Sequence, residues 1–404
     1  MRIMVAARLF SGIADGLADG VWEPSGVPAI YRLLEGLAMR PDIELLTVFA
    51  CKDAYDGRFA KGRRMTLDPI GGVIVLPWAP RPFLARLGLD GKLREISHFF
   101  RCLWLYYRFR PQVTYFTNAN FAIAGIFARF GLGRVVLRFL GLHPEQKYLA
   151  ESRGGLQRWL YHAPIDRAIC SLDGSGGRAY LPLLLNPKTP IDVLLNGVDR
   201  HHVDPAVVAK VQAEHGLRER PVVAFIGRLE SNKGCREFVS AALKLLNLRP
   251  GAVDIVVIGD GSLRPGLEKQ ISVAGMSDRV RFVGRVPHER VAVWLEIASI
   301  YVSINYFGSL SNANLEAISA GKCVIVLDRD SATHTDEETE EVLPLDSVIR
   351  IDRRNIEAEL VEVLTNLVDA PELIARHSRR AREVAAGFLD WDQRVSQEIE
   401  LIGT

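Results

Sequence analysis

The chain has 404 residues, 48 % of them hydrophobic and 24 % charged. That length predicts two or three domains, and that composition is ordinary for a globular protein, which excludes a disordered chain or a disulfide scaffold. The formal net charge is only +2, but residues 1–200 carry 26 Lys and Arg against 17 Asp and Glu, and the remainder 24 against 31. The basic first half reads either as a surface facing something anionic or as a chance imbalance of solvated faces. Cys51, Cys102, Cys170, Cys235 and Cys323 are far apart without a CxxC, which argues against a zinc site and for a reducing compartment. The start, MRIMVAARLF, lacks a cleavage signal, and no apolar run reaches about 18 residues. A cytoplasmic location follows as the expectation.

Short β-rich apolar runs alternate with helix-length stretches. The first series is Arg2–Ala6, Glu44–Phe49, Val73–Pro77, Val113–Phe116, Val135–Arg138, Arg167–Cys170 and Ile191–Leu195. After the turn-forming Asn196-Gly197-Val198-Asp199 a second series runs Val222–Ile226, Asp254–Ile258, Arg279–Val283, Ile300–Ile304 and Cys323–Leu327. Nearly continuous Val/Ile/Leu runs bounded by Gly or Pro indicate buried parallel strands in βα units. The fold class is therefore α/β, with two doubly wound domains over about 1–200 and 201–387. Ligands of such sheets bind at the carboxyl ends of strands.

Residues 83–111 interleave Phe99, Phe100, Trp104, Tyr106, Tyr107 and Phe109 with Arg86, Lys92, Arg94, Arg101, Arg108 and Arg110. One reading is a basic-aromatic helix lying on an anionic membrane surface. The other is a core helix whose arginines reach outward from an aromatic face.

Four elements of the second half bear on chemistry. In Gly227-Arg228-Leu229-Glu230-Ser231-Asn232-Lys233-Gly234 a strand ends at Gly227 and a helix begins near Gly234. Gly227 admits a phosphate to the backbone, the helix amino end supplies N–H groups, and Arg228 and Lys233 neutralise a diphosphate from two sides. Gly259-Asp260-Gly261-Ser262 is a second strand-to-helix turn, common in α/β proteins. In Gly284-Arg285-Val286-Pro287 the backbone is placed to meet a base edge. The fourth is a polar loop and helix, Ser309 to Gly321, where the amides near Leu310, Ser311, Asn312 and Ala313 suit sugar hydroxyls and Glu316 suits a ribose diol. Each alone is also an ordinary turn or cap.

In this order and spacing the four resemble the donor domain of glycosyltransferase family 4, of GT-B fold, over Val222–Asp328. The resemblance implies two Rossmann-like domains facing across a cleft, a last helix (388–404) packing back on the first domain, and metal-independent, retaining chemistry on a nucleotide-sugar. It implies no cofactor and no metal ligand. Carried over, Arg228 and Lys233 bind the donor diphosphate beside Gly227 and Gly261, Val286 meets the base and Glu316 the ribose. One departure stands out: the family has a second glutamate eight positions before Glu316, and here that position is Gly308.

In the first half, Gly26 resembles the glycine of a phosphate-side loop. His143, two residues after Gly141 and near the place of a family histidine, is a catalytic candidate; Arg138 at the end of the preceding strand, and Asn118 and Asn120 after another strand, are substrate-binding candidates. Asp173-Gly174-Ser175-Gly176-Gly177 reads as turn chemistry. The expected activity is transfer of a sugar from a UDP- or GDP-sugar to a glycan or lipid-linked glycan, as in bacterial-type surface polysaccharide or lipopolysaccharide biosynthesis, with peripheral membrane contact through 83–111. Nucleic acid is not an expected partner, because no recognition module is present. The alternatives are a silent sugar-nucleotide-binding subunit and a non-hydrolysing sugar-nucleotide 2-epimerase.

Overall fold

The computed structural model describes residues 1–403 apart from 153, 201 and 218. The chain divides into two compact units, one of Met1–Leu172, Gly177–Asn196 and Trp391–Thr404, the other of Asp173–Gly176 and Gly197–Asp390.

The first unit is built on an eight-stranded sheet. Its strands are β1 (Arg2–Arg8), β2 (Glu44–Ala50), β3 (Arg63–Leu67), β4 (Gly71–Leu76), β5 (Val113–Thr117), β6 (Arg134–Phe139), β7 (Arg167–Ser171) and β8 (Ile191–Leu194), in the order β3-β4-β2-β1-β5-β6-β7-β8. All neighbours are parallel except β3, which pairs antiparallel with β4 at the edge. Strand order reverses between β1 and β5, the mark of a doubly wound sheet. The helix Trp391–Gly403 packs on the helix Pro28–Ala38. Gly36 permits this approach, since a Cβ there would lie 2.4 Å from Val395 Cγ1.

That last helix is also tied down by charge. Glu398 is buried between Arg138 (Nε to Oε1, 3.0 Å) and Arg394 (Nη2 to Oε2, 2.8 Å), and it accepts from the Tyr115 hydroxyl. Burial disfavours its charge, but the two guanidiniums more than offset this and hold the carboxyl below its ordinary range. Arg394 also donates to the Leu195 carbonyl at 2.8 Å.

The second unit has six parallel strands: β9 (Val222–Ile226), β10 (Asp254–Ile258), β11 (Val280–Gly284), β12 (Ile300–Ser303), β13 (Cys323–Leu327) and β14 (Ile349–Ile351). Their order is β11-β10-β9-β12-β13-β14. This is the 3-2-1-4-5-6 arrangement of a Rossmann sheet, whose switch point lies between β9 and β12. Val223, Val257, Val302 and Ile325 are fully buried in its core, and each such side chain contributes roughly 1.5–3 kcal/mol.

The expected strands are all present, with ends shifted by up to two residues. β3 and β14 were not expected from the sequence. Both are edge strands without a continuous apolar run: β3 reads Arg-Arg-Met-Thr-Leu and β14 has only three residues. Segment 83–111 forms the helices Pro82–Arg86 and Asp90–Phe109. The longer helix is apolar on two faces. His98, Cys102 and Leu105 are buried on one face, while Phe100, Trp104 and Tyr107 are exposed on the other. All five cysteines are buried and free. Among the described residues no helix is long and apolar enough to cross a membrane.

Candidate functional site

The site lies at the carboxyl ends of β9 and β12. β9 ends at Ile226, and the next residues interlock with the loop after β10. Gly227 N–H donates to the Ile258 carbonyl (3.0 Å), Leu229 N–H to that of Asp260 (2.9 Å) and Leu263 N–H to that of Leu229 (3.0 Å). A Cβ on Gly259 would lie 1.9 Å from Gly227 O, and one on Gly261 2.5 Å from Leu229 O. Gly261, expected to touch substrate, is thus required by backbone packing. Glu230 completes the junction, accepting from Ser262 N–H (3.1 Å) and Ser262 Oγ (2.7 Å).

This junction displays the two cations. Arg228 is exposed and Lys233 half-buried. Among the described residues neither forms an ion pair or a side-chain hydrogen bond. Burial lowers the Lys233 pKa, the neighbouring Arg228 charge lowers it further, and Asp173 opposes the shift in part. A turn over Ser231–Lys233 ends at Gly234 (φ +64°), which opens the helix Cys235–Leu248. No side chain fits at Gly234, because a Cβ would be 2.3 Å from Ile304 at the end of β12. The helix amino end, with its unpaired N–H groups and positive dipole, is thereby pinned at the switch point.

The loop after β12 is held by a polar network. Asn305 Nδ2 donates to the Gly308 carbonyl (2.6 Å), and Asn314 Nδ2 to that of Ser309 (2.8 Å). Ser309 donates to both oxygens of the buried Asp336, which Arg353 neutralises at 2.8 Å. Ser311 caps the helix Asn312–Ser319, accepting from Asn314 N–H at 3.4 Å. The Leu310 amide, expected to face a sugar, donates instead to the Asp173 carbonyl at 3.2 Å. Ser311, Asn312 and Ala313 are half-exposed.

Gly308 has φ +137°, and a Cβ there would lie 2.3 Å from Asp173 O. The Asp173–Gly174 turn fills the space that a side chain at this position needs. The Asp173 carboxyl is pushed up to about 6 by burial, against the bonds it accepts from Ser175 N–H (3.0 Å) and Oγ (2.5 Å).

Glu316 lies one turn into the helix Asn312–Ser319 and is 9 % exposed. It lines a cavity of about 280 Å³ together with Asp199, Arg200, His288, Glu296 and Arg382. His288 Nε2 stands 3.5 Å from Glu316 Oε1 and 3.7 Å from Asp199 Oδ2. Burial raises the Glu316 carboxyl to about 7; the His288 charge opposes this and Asp199 adds to it. The Asp199 carboxylate raises the His288 pKa, burial works against that shift, and Glu316 reinforces it. The sequence reading missed His288 and did not single out Asp199. The available signals were the Pro287-His288-Glu289 helix start and the turn ending at Asp199.

The remaining candidates are dispersed. Val286 has its side chain against the Val222, Val256 and Trp294 cluster, and its backbone N–H and C=O make no hydrogen bond among the described residues. Gly26 is exposed with φ +94°, and a Cβ would meet nothing within 4 Å. Its backbone angle, not close packing, calls for glycine. His143 is exposed at the start of the helix Pro144–Glu151, where its N–H donates to Gln146 Oε1 at 2.6 Å. Two expectations are corrected. Arg138 is fully buried and paired with Glu398, so it cannot meet a substrate. Asn118 accepts from the Tyr161 hydroxyl at 2.7 Å, and Asn120 is buried with Nδ2 on the Ala6 carbonyl at 3.0 Å. Asn120 therefore serves the first unit's own packing, whereas Asn118 is half-buried.

Two Rossmann-like units, the second with unpaired cations at its switch point, define an α/β protein with an anion-receptive strand end. Residues 220–369 match the family model for glycosyl transferases group 1. The chain is 27 % identical over 180 residues to the alpha-D-kanosaminyltransferase of Streptomyces kanamyceticus, covering 44 % of each chain. It is 24 % identical over 266 residues to a GDP-mannose-dependent alpha-(1-6)-phosphatidylinositol monomannoside mannosyltransferase of Mycobacterium tuberculosis, covering 61 % of this chain and 66 % of that one. Anabaena HepE, solved in complex with UDP-glucose, shares the fold, with a TM-score of 0.70, 16 % identity and 99 % of both chains covered. Over residues 220–369 the chain thus matches the group 1 glycosyltransferases, and as a whole it has the GT-B fold. The match spans about two-fifths of the length of four curated relatives, the kanosaminyltransferase among them.

Proposed function

We propose that the protein is a retaining glycosyltransferase that moves a sugar from a UDP- or GDP-sugar to a glycan or lipid-linked glycan acceptor in surface polysaccharide or lipopolysaccharide biosynthesis. The second unit takes the donor and the first unit the acceptor. The observation that carries this reading is the pair Arg228 and Lys233. Two adjacent cations without a carboxylate partner repel each other, and a diphosphate relieves that repulsion while accepting their hydrogen bonds. Names of relatives agree in kind: one is GDP-mannose-dependent, and another was solved with UDP-glucose.

In the proposed reaction the bond from the anomeric carbon to the diphosphate oxygen breaks. Arg228, Lys233 and the amino end of the helix Cys235–Leu248 take up the growing negative charge. The acceptor hydroxyl oxygen bonds to the same face of that carbon, and its proton passes to the leaving phosphate oxygen. Glu316 accepts from the ribose hydroxyls, the Val286 backbone meets the base, and the Ser311–Ala313 amides meet the sugar. The test is donor binding by thermal shift with UDP-, GDP-, ADP- and dTDP-sugars, followed by turnover of Arg228→Ala. One nucleotide series should raise the unfolding midpoint. Near-normal turnover of the variant would remove Arg228 from the mechanism.

A second reading rests on Gly308. Without the family's other glutamate, the chain could be a silent sugar-nucleotide-binding subunit. Slow donor hydrolysis in the absence of acceptor supports the enzyme. Tight nucleotide binding with neither hydrolysis nor transfer supports the subunit.

A further inference from the structure

Three stretches of the second unit meet around one imidazole. Asp199 comes from the stretch that opens the unit, His288 is the first residue of the helix His288–Ile297, and Glu316 lies one turn into the helix Asn312–Ser319. His288 Nε2 faces both carboxylates, at 3.7 Å from Asp199 Oδ2 and 3.5 Å from Glu316 Oε1. The pair borders a cavity of about 280 Å³, with room well beyond a single water. It is therefore the wall of a site and not the inside of a packed core.

The other charged groups around the cavity are occupied elsewhere. Glu296 is held by Lys322 at 3.2 Å. Arg200 Nη2 donates to the carbonyls of Phe388 (2.9 Å) and Ala385 (3.4 Å). Arg382 lies against Gly321, where a Cβ would be 2.2 Å from its Nε. Tyr301, beneath the helix Asn312–Ser319, donates to Asn314 Oδ1 at 3.0 Å, and burial keeps its phenol protonated. Glu289, beside His288, is exposed. The charges that act on Glu316 are those of His288 and Asp199.

These two pull in opposite directions. Glu316 is buried, and among the described residues its carboxylate accepts no hydrogen bond and has His288 as its ion-pair partner. Burial and the Asp199 charge favour the neutral acid, and the imidazole favours the carboxylate. Asp199 in turn favours a cationic imidazole. The balance matters for a ligand, because a vicinal diol offers two O–H donors. An ionised carboxylate accepts both, and a protonated one gives up part of that capacity.

We propose that His288 is a positioning residue of the donor site: braced by Asp199, it holds the Glu316 carboxylate charged at the cavity wall, where that carboxylate accepts from the two hydroxyls of a nucleotide's ribose. This rests on the donor reading given above and adds to it the residue that governs recognition of the diol.

The test compares nucleoside diphosphates with and without the diol. Dissociation constants of UDP and GDP, and of their 2′,3′-dideoxy forms, are measured by titration calorimetry on the full chain between about pH 6 and 8. The ratio of dideoxy to parent constant isolates the diol, because both forms share the titration of the phosphates. For the base that binds, the wild-type ratio should reach about tenfold or more at pH 8 and should grow with pH through about 7. His288→Ala and His288→Gln should both displace that growth upward by about one pH unit, which lowers the ratio at pH 7 by up to about fivefold. Adding Asp199→Asn to His288→Ala should move the growth back down, since it removes the carboxylate that repels the Glu316 charge. A histidine that only packs leaves the ratio and its pH profile unchanged in whatever fraction of the variant is folded. A wild-type ratio and profile in His288→Gln overturns the proposal and leaves the donor reading intact. Equal binding of parent and dideoxy forms by the wild type overturns the proposal and, of the donor reading, only the role of Glu316. A wild-type chain that binds neither UDP nor GDP overturns both.

Discussion

Two sets of cations in this chain have opposite environments. In the first unit Arg138 and Arg394 are buried and closed around Glu398. In the second, Arg228 and Lys233 sit at a strand end with no ion pair among the described residues. The same residue types, both near the carboxyl end of a parallel strand, serve different purposes. A buried guanidinium must be matched by the protein itself, because leaving one member unpaired costs several kcal/mol. A pair open to water through Arg228 has its repulsion partly screened, and it stays available to an anionic ligand.

Four experiments test that contrast. Glu398→Gln leaves two buried guanidiniums facing a neutral amide and should cost about 3–5 kcal/mol in urea unfolding. A loss below about 1 kcal/mol would mean that water already enters the network. Arg228→Ala should cost turnover roughly 10²-fold while changing stability by less than about 0.5 kcal/mol, as at other exposed positions. An Arg228→Ala variant that is instead destabilised and fully active would erase the contrast. Gly308→Glu should not restore the family's carboxylate. It forces a side chain into the Asp173–Gly174 turn at a left-handed φ, with a stability loss of about 1–3 kcal/mol; a folded variant with faster turnover would contradict the packing described.

The fourth experiment reads a pH dependence spread over several pH units. The native Glu316 carboxyl keeps its proton up to about 7, whereas the unfolded chain loses it near the ordinary carboxyl value of about 4.3. Stability therefore falls as pH rises through that window, by at most about 1.4 kcal/mol per pH unit. The raised His288 pKa acts in the same direction just above its ordinary value. Urea midpoints between pH 4 and 8 should show the fall in the wild-type chain and a flatter profile in Glu316→Gln.

The contrast also explains what could be read from the sequence. The sheets were legible because their inner strands are short, largely apolar runs bounded by turn residues. β3 was not, because an edge strand needs only one apolar face and its alternation is short. Arg228 and Lys233 were legible because strand, glycine, cation and helix start follow one another within a dozen residues. Arg138 met the same local description and was misplaced, because the residue that neutralises it is on the last helix and no local pattern announces it. The joining of Glu316 to His288 and Asp199 was hidden for the same reason. Three separate stretches meet there only once β9, β11 and β12 are aligned.

The packing of Gly259 and Gly261 against the Gly227–Leu229 backbone has a practical consequence for engineering. The two loops are one mechanical part carried on two stretches of chain, with contacts of 1.9 and 2.5 Å to any added Cβ. A chimera that imports residues 227–234 from a relative, to change which ligand the site binds, will set foreign backbone against native glycines. Residues 259–263 should be exchanged in the same step.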